Sequence, residues 1–207
     1  MATRVGIIDY GLGNLASVAG AIKRVGHTPF ISAVASELAD ADRLILPGVG
    51  AFGDGMNNLR ERNLVEPLAE MVLEDKKPIL GICLGSQLLA QNSEEFGDHE
   101  GLGWIDAQVK RFSFDEADLR IPHVGWNDLH RTAESALFNG LPDTPMVYFV
   151  HSYYIVADEP GIVIAECEYG LKFVAAIERD NIFATQFHPE KSQADGLAML
   201  KNFVEKC

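Results

Sequence analysis

Three short segments of this 207-residue chain carry residues that could act together in nucleophilic chemistry. The first is Gly81-Ile82-Cys83-Leu84-Gly85, between a buried strand-like run at Pro78–Ile82 and a helical pattern over Leu84–Gln91. A residue on such a strand-to-helix turn is held in strained backbone geometry and projects from the carboxyl edge of the sheet. Flanking glycines let the turn close and let a substrate approach. The helix N-terminus that follows favours a thiolate, and the amides just after Cys83 can donate to an oxyanion. Cys167, placed mid-strand, and Cys207, the last residue, read as small buried hydrophobes.

A thiolate needs a base, and the base needs a group that orients it. Six histidines are available, and His188 is the best placed. It follows the apolar run Ile182–Phe187 and precedes Pro189-Glu190. Proline stops the strand and fixes the chain direction. A carboxylate two residues on can then reach the second ring nitrogen, setting the tautomer and stabilising the imidazolium. By itself such a His-x-Glu is also found in ordinary surface loops. The third segment, Pro47-Gly48-Val49-Gly50, follows a strand-like run at Arg43–Leu46. Its glycines permit torsions that aim an N–H into a cleft, though an ordinary βα turn has the same composition.

The elements that must position these residues are legible as alternating periodicities. Arg4–Tyr10, Thr28–Ser32, Arg43–Leu46 and Pro78–Ile82 read as strands, with helical spacing between them at Leu15–Val25 and Leu64–Val72. Gly26 is a plausible C-terminal cap of the first helix. Pro47–Gly55 reads as a loop. Strands alternating with helices predict parallel βαβ units and an α/β fold with a mostly parallel central sheet flanked by helices. Ala107–Phe112, Met146–Ile155, Val163–Cys167, Phe173–Glu178 and Ile182–Gln186 are β-rich, with a turn at Asp180–Asn181, so the C-terminal half is expected to be antiparallel. Asp195–Lys206 closes the chain as a helix. All three chemical segments then fall on one sheet edge, where α/β proteins place their sites.

Composition narrows the function classes. Thirty acidic against 17 basic residues give a formal charge of −13, which argues against a nucleic-acid backbone or an anionic membrane as partner. Three widely spaced cysteines form neither a disulfide framework nor a zinc pattern. The start Met-Ala-Thr-Arg shows no signal-peptide pattern and no apolar run reaches a membrane span, so a reducing cytoplasm is the expected location.

PGVGAFGDGM at 47–56, GICLGSQLL at 81–89 and QFHPEKS at 186–192 together resemble the class I, triad-type glutamine amidotransferases. IDYGLGNLASV at 8–18, PHVGWN at 122–127 and YFVHSYY at 148–154 are similar, more narrowly, to the glutaminase subunits of imidazole glycerol phosphate synthases. The resemblance runs from about Val5 to the last helix. It implies one amidotransferase domain over residues 1–207 that hydrolyses glutamine to glutamate and ammonia without a metal or organic cofactor. It implies Cys83 as nucleophile with His188 and Glu190 completing the triad. Val49 and Gly50 align with the oxyanion strand, with the Leu84 amide as the other donor. Gln87, Glu95, Ser152 and Tyr153 align with glutamine-binding positions. Pro122, Val124, Trp126, Asn127, Tyr148 and Lys191 align with the face that meets a (β/α)₈ barrel cyclase subunit. That heterodimer passes ammonia to the barrel to make imidazole glycerol phosphate and an aminoimidazole carboxamide ribotide in histidine biosynthesis. Ser86 and Val124 stand where many family members carry Met, and Ser113–Arg120 is idiosyncratic. These departures leave open a paralogue that feeds another synthase, such as a sugar-modifying one. A non-catalytic module and another Cys-elbow hydrolase are the further alternatives.

Overall fold

Strands covered on both faces need apolar residues at successive positions, and the chain supplies four such runs. β1 (Arg4–Ile8), β3 (Arg43–Gly48), β4 (Ile79–Cys83) and β14 (Ile182–Thr185) are buried along nearly their full lengths. With β2 (Thr28–Ser32) they form five parallel strands in the order β2-β1-β3-β4-β14. The structure is a computed structural model that describes residues 2–114 and 119–207. Of the idiosyncratic stretch Ser113–Arg120, residues 115–118 therefore lie outside the described residues.

Alternating strand positions feed two apolar layers. Val5, Ile7, Ile45, Leu80 and Ile82 join the layer that contains Val18 and Ile22 of α1 (Leu15–Arg24) and Leu200 and Phe203 of α6 (Gln193–Lys206). Ile8, Leu44, Leu46 and Ile79 join the layer of α2 (Ala35–Ala39), α3 (Phe52–Glu61) and α4 (Val65–Ala69), which runs on into a π-helical turn at Glu70–Glu74. Each such buried aliphatic side chain contributes roughly 1.5–3 kcal/mol.

The C-terminal half adds antiparallel strands, as expected. β13 (Lys172–Arg179) pairs with β14, then come β11 (Tyr153–Ala157) and β7 (Ala107–Arg111), beyond which the short β5 (Asn92–Ser93), parallel to β7, and β6 (His99–Glu100) return from the first half of the chain. β12 (Val163–Glu168) branches from β13 and pairs with β9 (His130–Arg131). A separate antiparallel ribbon joins β8 (His123–Asp128) to β10 (Met146–His151).

Four local expectations are corrected. Met146–Ile155 is two strands in different sheets, parted at Ser152. Pro47–Gly55 is not wholly loop, because β3 runs through Gly48 and α3 begins at Phe52. The first strand ends at Ile8. The helix after Cys83, α5, stops at Gln87, because the backbone beyond it pairs elsewhere: Gln91 N–H donates to the Ala107 carbonyl and Gly103 N–H to the Ala90 carbonyl. Among the described residues no helix is long and apolar enough to cross a membrane.

Candidate active site

β3, β4 and β14 are sheet neighbours and run parallel, so their carboxyl ends share one edge. Val49 and Gly50 follow β3, Cys83 ends β4, and His188 lies three residues past β14. Cys83 has φ +54° and ψ −112°, a backbone conformation that side-chain-bearing residues rarely adopt. Strain of this kind persists only where the surroundings enforce it. Here the enforcement is the close crossing of α5 over β3. A β-carbon on Gly85 would be driven into the Leu46 carbonyl oxygen, and one on Gly81 would lie 2.8 Å from the Gly85 carbonyl oxygen. The two glycines therefore let the turn around Cys83 close, as the Gly-x-Cys-x-Gly spacing predicts.

The Cys83 sulfur is held between two groups. It donates to the Val150 carbonyl of β10 and accepts from Gln186 Nε2, each at 3.9 Å. His188 is buried, and its Nδ1–H donates to Glu190 Oε1 at 2.9 Å. The backbone around it is fixed by main chain and hydroxyl. His188 N–H donates to the Tyr148 carbonyl, and Ser192 Oγ–H donates to the His188 carbonyl at 2.7 Å. The other ring nitrogen, Nε2, is buried with no hydrogen-bond partner among the described residues, so it is available to a reacting group. Burial lowers the imidazole's basicity, but interaction with Cys83 and Glu190 outweighs it and raises the pKa to about 9.

Another histidine, His151, lines the cleft over Cys83, and its environment sets it apart from His188. His151 donates from Nδ1 to the Tyr153 carbonyl at 2.8 Å, and its Nε2 lies 3.3 Å from His123 Nδ1. Burial pushes His151 down to about 3 and His123 to about 4, so both stay neutral at pH 7. Only His188 of the three is held as a cation.

A cleft of about 450 Å³ opens over the sulfur, lined by Val49, Gly50, Cys83, Leu84, Gln87, Glu95, Pro122, Val150, His151, Ser152, Tyr153 and Lys191. Every expected oxyanion and substrate residue is thus on its wall. Gln87 Nε2 is already committed to the Tyr153 carbonyl (2.9 Å) and Gln186 Oε1 (3.0 Å), which leaves its own carbonyl oxygen for a ligand. Glu95 Oε2 accepts from Phe52 N–H at 2.7 Å, fixing the start of α3 just after Val49–Gly50. Burial raises the Glu95 carboxyl's pKa. Gln186, His151 and the Val150 carbonyl are site groups that the sequence reading did not single out. Both side chains lie inside quoted segments, YFVHSYY and QFHPEKS, which was the available signal.

Beside the cleft, the outward face of the β8–β10 ribbon exposes Val124, Trp126 and Met146. Tyr148 pairs with Trp126, their rings 5.9 Å apart, and Lys191 Nζ sits 5.7 Å from the centre of the Tyr148 ring. Val124, Trp126, Tyr148 and Lys191 are therefore near one another, and Pro122 lines the cleft together with Lys191. Asn127 falls on the other side of the strand by alternation, and its Nδ2 donates to the Glu168 carbonyl at 2.9 Å. Met146 belongs to the exposed apolar set without having been anticipated. Among the described residues no cluster of three or more His, Cys, Asp or Glu is arranged to hold a metal ion.

The raised His188 pKa makes stability depend on pH with a definite sign. Its contribution is fully present below the ordinary value of 6.5 and is lost as pH rises through about 9. The loss is on the order of 3 kcal/mol. Between pH 6.5 and 9 the unfolding midpoint of the wild type should fall more steeply than that of His188→Gln. Parallel curves would show that no imidazolium is held.

Comparison with known proteins gives the family. The family model described as glutamine amidotransferase class-I matches residues 7–207. The imidazole glycerol phosphate synthase subunit HisH 2 of Pseudomonas aeruginosa is 48% identical over 199 residues, covering 96% of this chain and 98% of the relative. Subunit HisH of Syntrophotalea carbinolica is 49% identical over 201 residues, covering 95% and 97%. Among solved structures, PurLQS from Thermotoga maritima superposes with a TM-score of 0.79 over 98% of both chains at 20% identity, a likeness of fold. With the family model spanning all but the first six residues, this chain belongs to the class-I glutamine amidotransferases.

Proposed function

We propose that residues 1–207 act as one glutaminase domain of an imidazole glycerol phosphate synthase, with Cys83, His188 and Glu190 as its triad. The observation that carries this reading is the convergence on one edge of a strained Cys83 and a buried imidazole that is oriented by Glu190 at 2.9 Å and has a free Nε2. The names of relatives that match along nearly their full length support the synthase assignment. The reaction then follows from the residues. Gln87, Glu95, Ser152 and Tyr153 hold the amino-acid end of glutamine so that its amide carbonyl faces the sulfur. The thiolate attacks, and the amides of Leu84 and the Val49–Gly50 segment take the oxyanion. The His188 imidazolium gives its proton to the departing ammonia. Neutral His188 then takes a proton from water, which releases glutamate from the thioester. Ammonia in bulk water would be protonated and lose its nucleophilicity, which favours direct transfer to a partner. The apolar face of Val124, Trp126, Tyr148 and Met146 is the candidate docking surface for a (β/α)₈ barrel cyclase. A reducing cytoplasm suits the free thiol.

A partner that switches on hydrolysis would avoid waste, and the Pro47–Gly50 segment is the candidate switch. Gly50 has φ +111° and is exposed, so its neighbouring peptides can turn without disturbing the core.

The deciding experiment is glutamate production from glutamine by the chain with and without the cyclase subunit. Release only with a different synthase would reassign the acceptor, and no release with any would leave a non-catalytic module. His188→Ala and Glu190→Ala should differ. Loss of the base costs roughly 10²-fold or more in saturated turnover. Loss of the orienter leaves a poorly aimed base and costs less. Near wild-type turnover in His188→Ala would remove the triad.

A further inference from the structure

Tyr10 is a buried polar residue beside the cleft that no step of the hydrolysis uses. It follows β1 and packs in the layer of Leu46, Phe52, Met56 and Leu84, with no solvent exposure. Its hydroxyl has no hydrogen-bond partner among the described residues. A buried donor left without an acceptor is costly, and Phe would serve the packing alone without that cost. Burial, and secondarily Cys83, hold the phenol protonated, so it is a donor at every working pH.

Its position is specific. A β-carbon on Gly48 would collide with the Tyr10 hydroxyl oxygen and would lie 2.7 Å from Leu84 Cβ and 2.8 Å from Gly85 N. The hydroxyl therefore sits where the Pro47–Gly50 segment crosses the start of α5. It faces that segment from the protein side, whereas Val49 and Gly50 line the cleft on the other. A trans peptide carries its N–H and C=O on opposite sides. When the Gly48–Val49 peptide aims its N–H at the cleft, its carbonyl must swing towards the protein side.

We propose that Tyr10 is a positioning residue for the oxyanion segment: its hydroxyl donates to the Gly48 carbonyl in the conformation that presents Val49 N–H to the substrate. The proposal rests on the reading that this segment switches. It accounts for the unpaired hydroxyl as a donor whose acceptor arrives with activation, which biases the segment towards the competent state by its differential affinity.

The test is Tyr10→Phe, which keeps the ring and removes one oxygen. Glutamate release is measured for wild type and variant, alone and saturated with the barrel cyclase, beside unfolding midpoints. The expected result is a stimulated kcat roughly fivefold lower, KM for glutamine within twofold, and a midpoint equal to or above wild type. Stimulated kcat equal to wild type would overturn the proposal. So would a lowered midpoint with resting and stimulated rates falling together, because that is a packing defect. If wild type itself shows no stimulation, the switching reading fails, and this proposal with it. If wild type and variant are stimulated alike, switching stands and only Tyr10's role is lost.

Discussion

Cys83→Ala is expected to lower partner-saturated glutamine hydrolysis by at least about 10⁴-fold, the largest effect of any single change in this chain. Of the side chains that line the cleft, the Cys83 sulfur alone sits on the strained strand-to-helix turn, beside the start of a helix and the buried His188. Fold and substrate binding should survive. The side chain is buried, but the hydrogen bonds of its sulfur to Val150 and Gln186 are weak contacts at 3.9 Å. Labelling gives an independent check. A glutamine-like diazo-ketone should modify Cys83 alone, because burial pushes the thiols of Cys167 and Cys207 up to about 12. Peptide mass mapping reads this directly. Stoichiometric modification of Cys167 with Cys83 untouched would sink the assignment of the nucleophile.

The second large effect concerns the partner. The chain alone should hydrolyse glutamine about a hundredfold more slowly than the complex, the cost of one missing oxyanion donor at roughly 3 kcal/mol. Gly50→Pro should bind the barrel normally and fail to be stimulated. Proline fixes φ near −65° and lacks an N–H, whereas Gly50 sits at +111°. The substitution should leave the core undisturbed, since a β-carbon at Gly50 would meet only Leu12, at 3.8 Å or more. The measurement is glutamate release by the chain alone, with barrel, and with barrel plus its nucleotide ligand. Equal rates in all three conditions would remove the gating and leave the glutaminase in place.

The fold is most legible in the sequence where one physical signal dominates. Strands β1, β3, β4 and β14 are covered on both faces, so each is a nearly unbroken apolar run that no surface element imitates. The Cys83 turn was legible because glycine on both sides marks a backbone crossing too close for a side chain. Elements were missed where tertiary packing overrides local preference. α3 contains Gly53 and Gly55, poor helix formers that read as loop. In the structure a β-carbon on Gly53 would lie 2.7 Å from the His99 ring, so packing demands a residue that propensity disfavours. Met146–Ile155 read as one strand because both halves are β-rich, and only the fold shows the chain leaving one sheet for the other at Ser152. β8 is not legible as a strand, since Gly125 within it and Asn127-Asp128 at its end are residue types typical of turns. Gln186 escaped notice because glutamine carries no charge and no acid–base signature, and its role is visible only as a distance to sulfur.

The β10 strand touches both Cys83 and His188 through its main chain. Its Tyr148 carbonyl receives the His188 amide, and its Val150 carbonyl receives the Cys83 thiol. The opposite edge of the same strand is laced to β8, whose Trp126 and Val124 face outward. A load placed on the ribbon therefore reaches imidazole and sulfur along peptide groups rather than side chains. Alanine scanning cannot see such a connection, because truncating Tyr148 or Val150 leaves every one of these bonds in place. Replacing single peptide links in β10 by esters, which weakens the carbonyl as an acceptor and keeps the side chain, is the perturbation to which this lever would respond.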